Sequence, residues 1–268
     1  MPSHMGSIGF STPDMDAFIV RAATEGRRVP VPDGTYVHWA MNGAELWTQL
    51  DKSNSLVGCN PHFAGKGRMR VEITELIQDP NDALDGSAHC WLEDPSGAQI
   101  SPCLIDVPDF QALKGWVAVP SSIELQVTAF AHELRCYETD VDFEAHQLAV
   151  LGEEPPDLAA ESFIPSGMFS LDPEDDETHI PRAEAIFAGH LQDFELITNG
   201  VTGEQFHHLL VNTLGASIDV VAETGVLQGN PRSGGVAHGH FWLSGRACQP
   251  SQRARDVKKS RRFWKRRT

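Results

Sequence analysis

The stretch from Arg28 to Leu50 constrains the fold more than any other part of the chain. Three runs, Arg28–Val31, Thr35–Ala40 and Ala44–Leu50, are separated by Pro32-Asp33-Gly34 and by Asn42-Gly43. Asn-Gly between alternating runs is a strong hairpin signal, because both central residues of the tight turn take positive φ. A chain with three strands joined so closely commits to an antiparallel meander. Upstream, Met15, Phe18, Ile19 and Ala22 recur at helical spacing. Thr12 is the expected N-cap and Pro13 the first helical residue. Asp14 and Asp16 suit the positive end of the helix dipole, and Gly26 suits its C-terminal stop. Ile8-Gly9-Phe10 reads as the end of a short strand, which gives the order strand, helix, strand, strand, strand.

Strand signals continue downstream. Arg68–Thr74 alternates charged and apolar residues, Ser87–Glu93 and Gln99–Val107 read as a hairpin around Pro95-Ser96-Gly97, and Ile123–Glu138 is the longest run. In that run Leu125, Val127, Ala129 and Ala131 share one face. Asp140–Leu151 reads as a short helix. Two acidic, proline-bearing stretches, 153–157 and 172–177, mark loops and place a lobe boundary near 170–180. Phe187–Thr198, Phe206–Thr213, Ser217–Ala222 and Val236–Ser244 then read as strands. The expected fold class is α+β and strand-rich. Residues 1–175 form a first lobe with a βαβββ start, 176–245 a small β-barrel-like lobe, and 246–268 a basic flexible tail. No internal repeat is visible.

Composition bounds what such a chain can be. Its 268 residues are 41% hydrophobic and 22% charged, which is ordinary for a globular protein. No apolar run approaches the ~18–20 residues that span a bilayer, and no basic region precedes an apolar one at the N-terminus. The expected location is the cytoplasm. Five cysteines, an odd number and none spaced C-x-x-C, argue against a zinc ribbon or a disulfide framework. The net charge of −16 is divided unevenly. Ten Lys or Arg and one acid lie from Arg246 to Thr268, leaving eleven basic and thirty-six acidic residues before them. The body therefore repels nucleic acid and anionic membrane at long range, whereas the tail attracts them or folds back on the body.

The opening unit, with Gly43-Ala44-Glu45-Leu46-Trp47 as its last strand, resembles one module of the vicinal oxygen chelate superfamily, which includes glyoxalases and bleomycin-resistance proteins. The resemblance covers residues 4–51. It implies a divalent metal ion held by Glu45 and by a first-strand ligand, for which the matching residue is His4. A second module, from the same chain or from the partner in a homodimer, would complete such a site. The later lobe, with Ala188-Gly189, Thr202-Gly203 and a strand closing on Ser244-Gly245, resembles an OB-type barrel, which implies oligonucleotide binding on one face. The tail residues Arg261, Arg262, Trp264, Lys265, Arg266 and Arg267 interleave basic and aromatic groups, a pattern suited to nucleic acid or to a protein partner.

The chain has twelve histidines. His238 and His240 are two apart and share a strand face, while His207 and His208 point to opposite faces. A site from His238, His240 and one of the latter pair is geometrically open, as is one joining His132-Glu133 to Glu45; His89 is a further candidate. The bland reading of each is a polar strand face. There is no P-loop, no G-x-G-x-x-G after a strand, no G-x-S-x-G and no H-E-x-x-H. The leading expectation is a binding protein for a small molecule or a partner protein. A metal-dependent enzyme or sequestering protein and a nucleic-acid-associated protein follow it.

Overall fold

A computed structural model describes residues 3–151, 158–168 and 181–248. The chain opens on a single 3-10 turn, Gly6–Ile8, ended by Gly9 at φ 74°. The strand expected at Ile8–Phe10 is therefore absent. Helix α1 spans Met15–Glu25, and its N-cap is Asp14, whose carboxylate accepts the Ala17 N–H at 3.0 Å. Asp14 takes the role expected of Thr12 because its oxygen reaches the third amide of the helix. Then come β1 (Arg27–Val31), β2 (Gly34–Met41), β3 (Ala44–Asp51) and β4 (Leu56–Phe63), an antiparallel sheet in sequence order. Asn42 at φ 52° and Gly43 at φ 85° make the tight turn as expected. Gly58 and Pro61 hide β4 from a propensity reading. An edge strand tolerates them, since β4 pairs with β3 alone.

The remaining elements are β5 (Met69–Gln78), β6 (Gly86–Glu93), β7 (Gln99–Asp106), α2 (Phe110–Lys114), β8 (Ser121–Tyr137), α3 (Asp140–Leu151), β9 (Ser162–Ile164), β10 (Glu184–Thr198), β11 (Gln205–Thr213), β12 (Ala216–Glu223), β13 (Leu227–Gln228) and β14 (Val236–Ala247). The strands among them form one sheet that closes on itself twice. The first ring is β5-β6-β7-β14-β8 and the second is β10-β11-β12-β8-β14. The antiparallel pair β8–β14 belongs to both, running from Val236 opposite Tyr137 to Ala247 opposite Leu125. Each ring has one parallel seam. In the first it is the single bridge between Ser244 and Asp106; in the second it is β12 against β8, from Asp219 opposite Thr128 to Val221 opposite Phe130. Exchanging the roles of β8 and β14 maps one ring's connectivity onto the other's, as the two-fold symmetry of an antiparallel pair allows.

The expected boundary at 170–180 lies outside the described residues. Strands before and after it share one core. Val71, Ile105 and Leu125 fill the first ring, and Phe187, Val211, Val220 and Phe241 the second, in a continuous apolar cluster. Strand β8 manages this with a bulge. Its register on β14 passes from Glu133 opposite His240 to Ala131 opposite Phe241, leaving His132 as the extra residue. Inward side chains are odd-numbered before it (Leu125, Val127, Ala129, Ala131) and even-numbered after it (Leu134, Cys136). The β1–β4 sheet packs on the outer face of the β8–β12 region through Leu46, Phe63, Phe130, Phe206 and Val221, with Ile8 and Phe10 filling the joint. Fully burying each such large side chain contributes roughly 1.5–3 kcal/mol. On the other face of β3, Trp47 packs with Tyr36 and Leu84; the Tyr36 hydroxyl donates to the Leu84 carbonyl and accepts the Gln111 N–H of α2. No helix among the described residues is long and apolar enough to cross a membrane.

Candidate functional site

Strand β14 alternates small or apolar residues inward with His238, His240, Trp242, Ser244 and Arg246 outward. Three parts of the chain cover this polar stripe in turn. Arg246 and Ala247 continue the strand two residues beyond the expected start of the tail.

At the lower end lies the β1–β4 sheet. Arg246 sits 4.2 Å from the Trp47 ring centroid and pairs with Glu45 at 3.3 Å and Asp109 at 3.1 Å. Glu45 also accepts the Trp47 indole N–H at 2.9 Å, and His38 Nε2 lies 3.0 Å from its other oxygen, at an angle too poor for a directed hydrogen bond. Burial works to raise the Glu45 pKa, but His38 and the Arg246 charge outweigh it and lower it to about 2. The carboxylate expected to bind metal is buried and already surrounded by donors. Next to it, Gln126 donates its amide hydrogens to Phe63 O at 3.0 Å and Asp219 at 2.9 Å, so its oxygen faces His62 Nε2 at 2.7 Å. His62 therefore carries its proton on Nε2, and Nδ1 accepts the Ser244 hydroxyl at 3.0 Å. Burial lowers this imidazole to about 4. Ser244 and His62 are fully buried, so this serine–histidine pair is a strut between sheets.

At the middle lies the N-terminal segment. The His4 ring stacks on Trp242 at 4.3 Å and 9°, and its Nε2 meets His132 Nε2 at 3.0 Å. Burial and the facing His132 lower His4 to about 4, and burial with His240 lowers His132. His240 Nε2 is 3.3 Å from Glu184 but off-axis for a hydrogen bond. His4 and Glu45 thus hold different partners, as do His132 and Glu45. His208 bonds Asp219 at 2.8 Å and Glu195 at 3.1 Å instead of joining His238, and His89 bonds Thr74 at 2.7 Å. Among the described residues no group of three or more His, Cys, Asp or Glu side chains is arranged to hold a metal ion. The six tail residues from Arg261 to Arg267 lie outside the described residues.

At the upper end lies α3. The Thr139 hydroxyl accepts the Asp142 N–H at 3.2 Å and bonds its carboxylate at 2.7 Å, starting the helix. Phe143 anchors it against Tyr137, Ala188 and Val236. The rest of α3 stands off the barrel and leaves a cleft of about 630 Å³. Its walls are His132, Glu133, Arg135 and Tyr137 of β8, His146 and Gln147 of α3, Val226, Gln228 and His238. Arg135 donates to Gln228 across the rim. Gln147 donates its amide to Leu158 O at 3.0 Å, which leaves Oε1 without a partner; His238 Nε2 is without one too. Both atoms are shut away from water, and each such group costs about 1–3 kcal/mol. Burial lowers the His238 pKa, so the ring is neutral at neutral pH.

The alternation of β14 placed His238 on one face with His240. Gln147, Tyr137 and Gln228 carried no signal, because they meet only when α3 folds back on β8. Comparison of the chain with protein-family models, with curated proteins and with solved structures finds no match.

Proposed function

We propose that this chain is a binding protein without catalysis, and that its ligand is a small neutral molecule held in the cleft between α3 and the β8–β14 pair. The observation that carries this reading is the pair of unsatisfied polar atoms, His238 Nε2 and Gln147 Oε1, on residues that wall one cleft. Buried polar groups are nearly always partnered, so two orphans among the walls of one cleft point to a missing partner. A volume of about 630 Å³ falls within the usual range for small-molecule sites. Gln147 Oε1 asks for a donor, and neutral His238 accepts or donates according to its tautomer. Glu133 and Arg135 offset each other at the rim, which favours a ligand without net charge. A small shift of α3 brings both atoms into contact with the ligand, and the single buried anchor at Phe143 permits it.

The test is ligand-observed NMR with a panel of neutral lactams, amides and polyols. Binding to the parent that weakens roughly 5- to 150-fold in His238→Leu and in Gln147→Leu supports the reading, since each removes one group worth about 1–3 kcal/mol. Both variants are checked for an unchanged circular dichroism spectrum. Silence across the panel in the parent, or binding indifferent to both changes, overturns it.

A further inference from the structure

The hairpin β6–β7 sets Cys90 directly opposite Cys103. Both side chains point into the first ring, beside Val71, Ile73 and Ile105, and both thiols are free. Residues opposite one another on antiparallel strands have Cα atoms about 4.5 or 5.5 Å apart, according to the type of pair. A disulfide spans about 4.4–6.8 Å between Cα atoms. The bond therefore fits this pair with the backbone where it stands. No other cysteine faces a cysteine in the described pairings: Cys59 lies opposite Thr48 and Cys136 opposite Ala237.

We propose that Cys90 and Cys103 form a redox-modification site, a cross-strand dithiol that a low-molecular-weight disulfide converts to an intramolecular disulfide. One thiolate attacks glutathione disulfide, forming a mixed disulfide and releasing one glutathione thiolate. The second protein thiolate attacks the mixed disulfide at the protein sulfur and releases the other glutathione. The chain loses two protons and two electrons, and glutathione disulfide gains both. In the closed barrel neither sulfur reaches solvent, and contact with the Cys103 thiol together with burial pushes Cys90 well above its ordinary pKa. The reaction thus waits on a local opening. The topology supplies one: β7 meets β14 by a single backbone bridge, Asp106 to Ser244, and by the Trp242 indole N–H donated to the Asp106 carboxylate at 2.6 Å, so it is the thinnest backbone seam of the first ring. Once formed, the bond fastens β7 to β6 and raises resistance to unfolding.

The experiment treats the full chain with glutathione disulfide in two ways, native at neutral pH and during refolding from denaturant. Intact mass, thiol titration and peptide mapping are the readouts. Loss of two of the five thiols, a mass lower by two hydrogens and a Cys90–Cys103 cross-link in either treatment support the proposal. A higher Tm reversed by dithiothreitol, absent in Cys90→Ser and Cys103→Ser, supports the fastening. Five free thiols after both treatments, stable glutathione adducts, or a cross-link between other cysteines overturns it.

Discussion

Glu45 and His62 are neighbours across the β3–β4 register, yet acid acts on them in different windows. Glu45 titrates at about 2 in the fold against an ordinary 4.5. Its contribution, about 3 kcal/mol for this shift, is whole above pH 4.5 and lost as pH falls through 2. His62 titrates at about 4 against an ordinary 6.5. The unfolded chain takes that proton first, so stability falls from pH 6.5 and levels off near 4, again by about 3 kcal/mol. Urea denaturation at pH 7, 5 and 3 separates the two. Glu45→Gln is expected to lose about 1–3 kcal/mol at pH 7, because Arg246 keeps Asp109 but loses its second charged acceptor, and to flatten the profile below pH 4.5. His62→Gln is expected to lessen the fall between pH 6.5 and 4.5, leaving the shares of His4, His132, His207 and His238. An unchanged slope in that interval would sink the assignment.

Two elements carry chemistry that their own sequences disclose only in part. The outward face of β14 was legible because alternation in a strand is local, and so was the inward run of β8 up to Ala131. The change of face beyond it was not. A bulge at His132 depends on the register against β14, whose partner residues lie about a hundred positions away. For the same reason the sequence places the end of β14 at Ser244, although Arg246 completes it by reaching Glu45 and Asp109. A chain ending at Gly245 is therefore expected to melt several degrees below one ending at Cys248, since it lacks the Arg246 pairs; equal Tm values would deny Arg246 that role. At the bulge, Gly239 packs against the Glu133 carbonyl so closely that any Cβ would overlap it. Gly239→Ala is expected to cost about 1–3 kcal/mol in equilibrium unfolding. The α3 cleft was the least legible part, because Gln147 and His238 come together only through the packing of Phe143.

At the scale of the molecule, strand content and most strand positions followed from periodicity, and ring closure did not. Local alternation says which residues face inward but not which strands meet, and the seams that close both rings join segments far apart in the chain. Because β8–β14 serves both rings, unfolding is expected to be a single transition. Tryptophan fluorescence, which among the described residues samples Trp39 and Trp47 in the β1–β4 sheet, Trp91 on β6, Trp116 after α2 and Trp242 on β14, should coincide with far-UV circular dichroism across a urea titration. Two separate midpoints would show parts of the molecule that melt independently and would deny the shared pair that role. The shared pair also sets an order in time. About a hundred residues separate the end of β8 from the start of β14, and a ribosome adding ~5–20 residues per second needs roughly 5–20 s to make them. Through that interval the nascent chain carries β5 to β8 with the strand that must close them not yet made. Strands β5 to β8 thus have to wait for β14, and it is in those seconds that a chaperone would find the long edge of β8 uncovered.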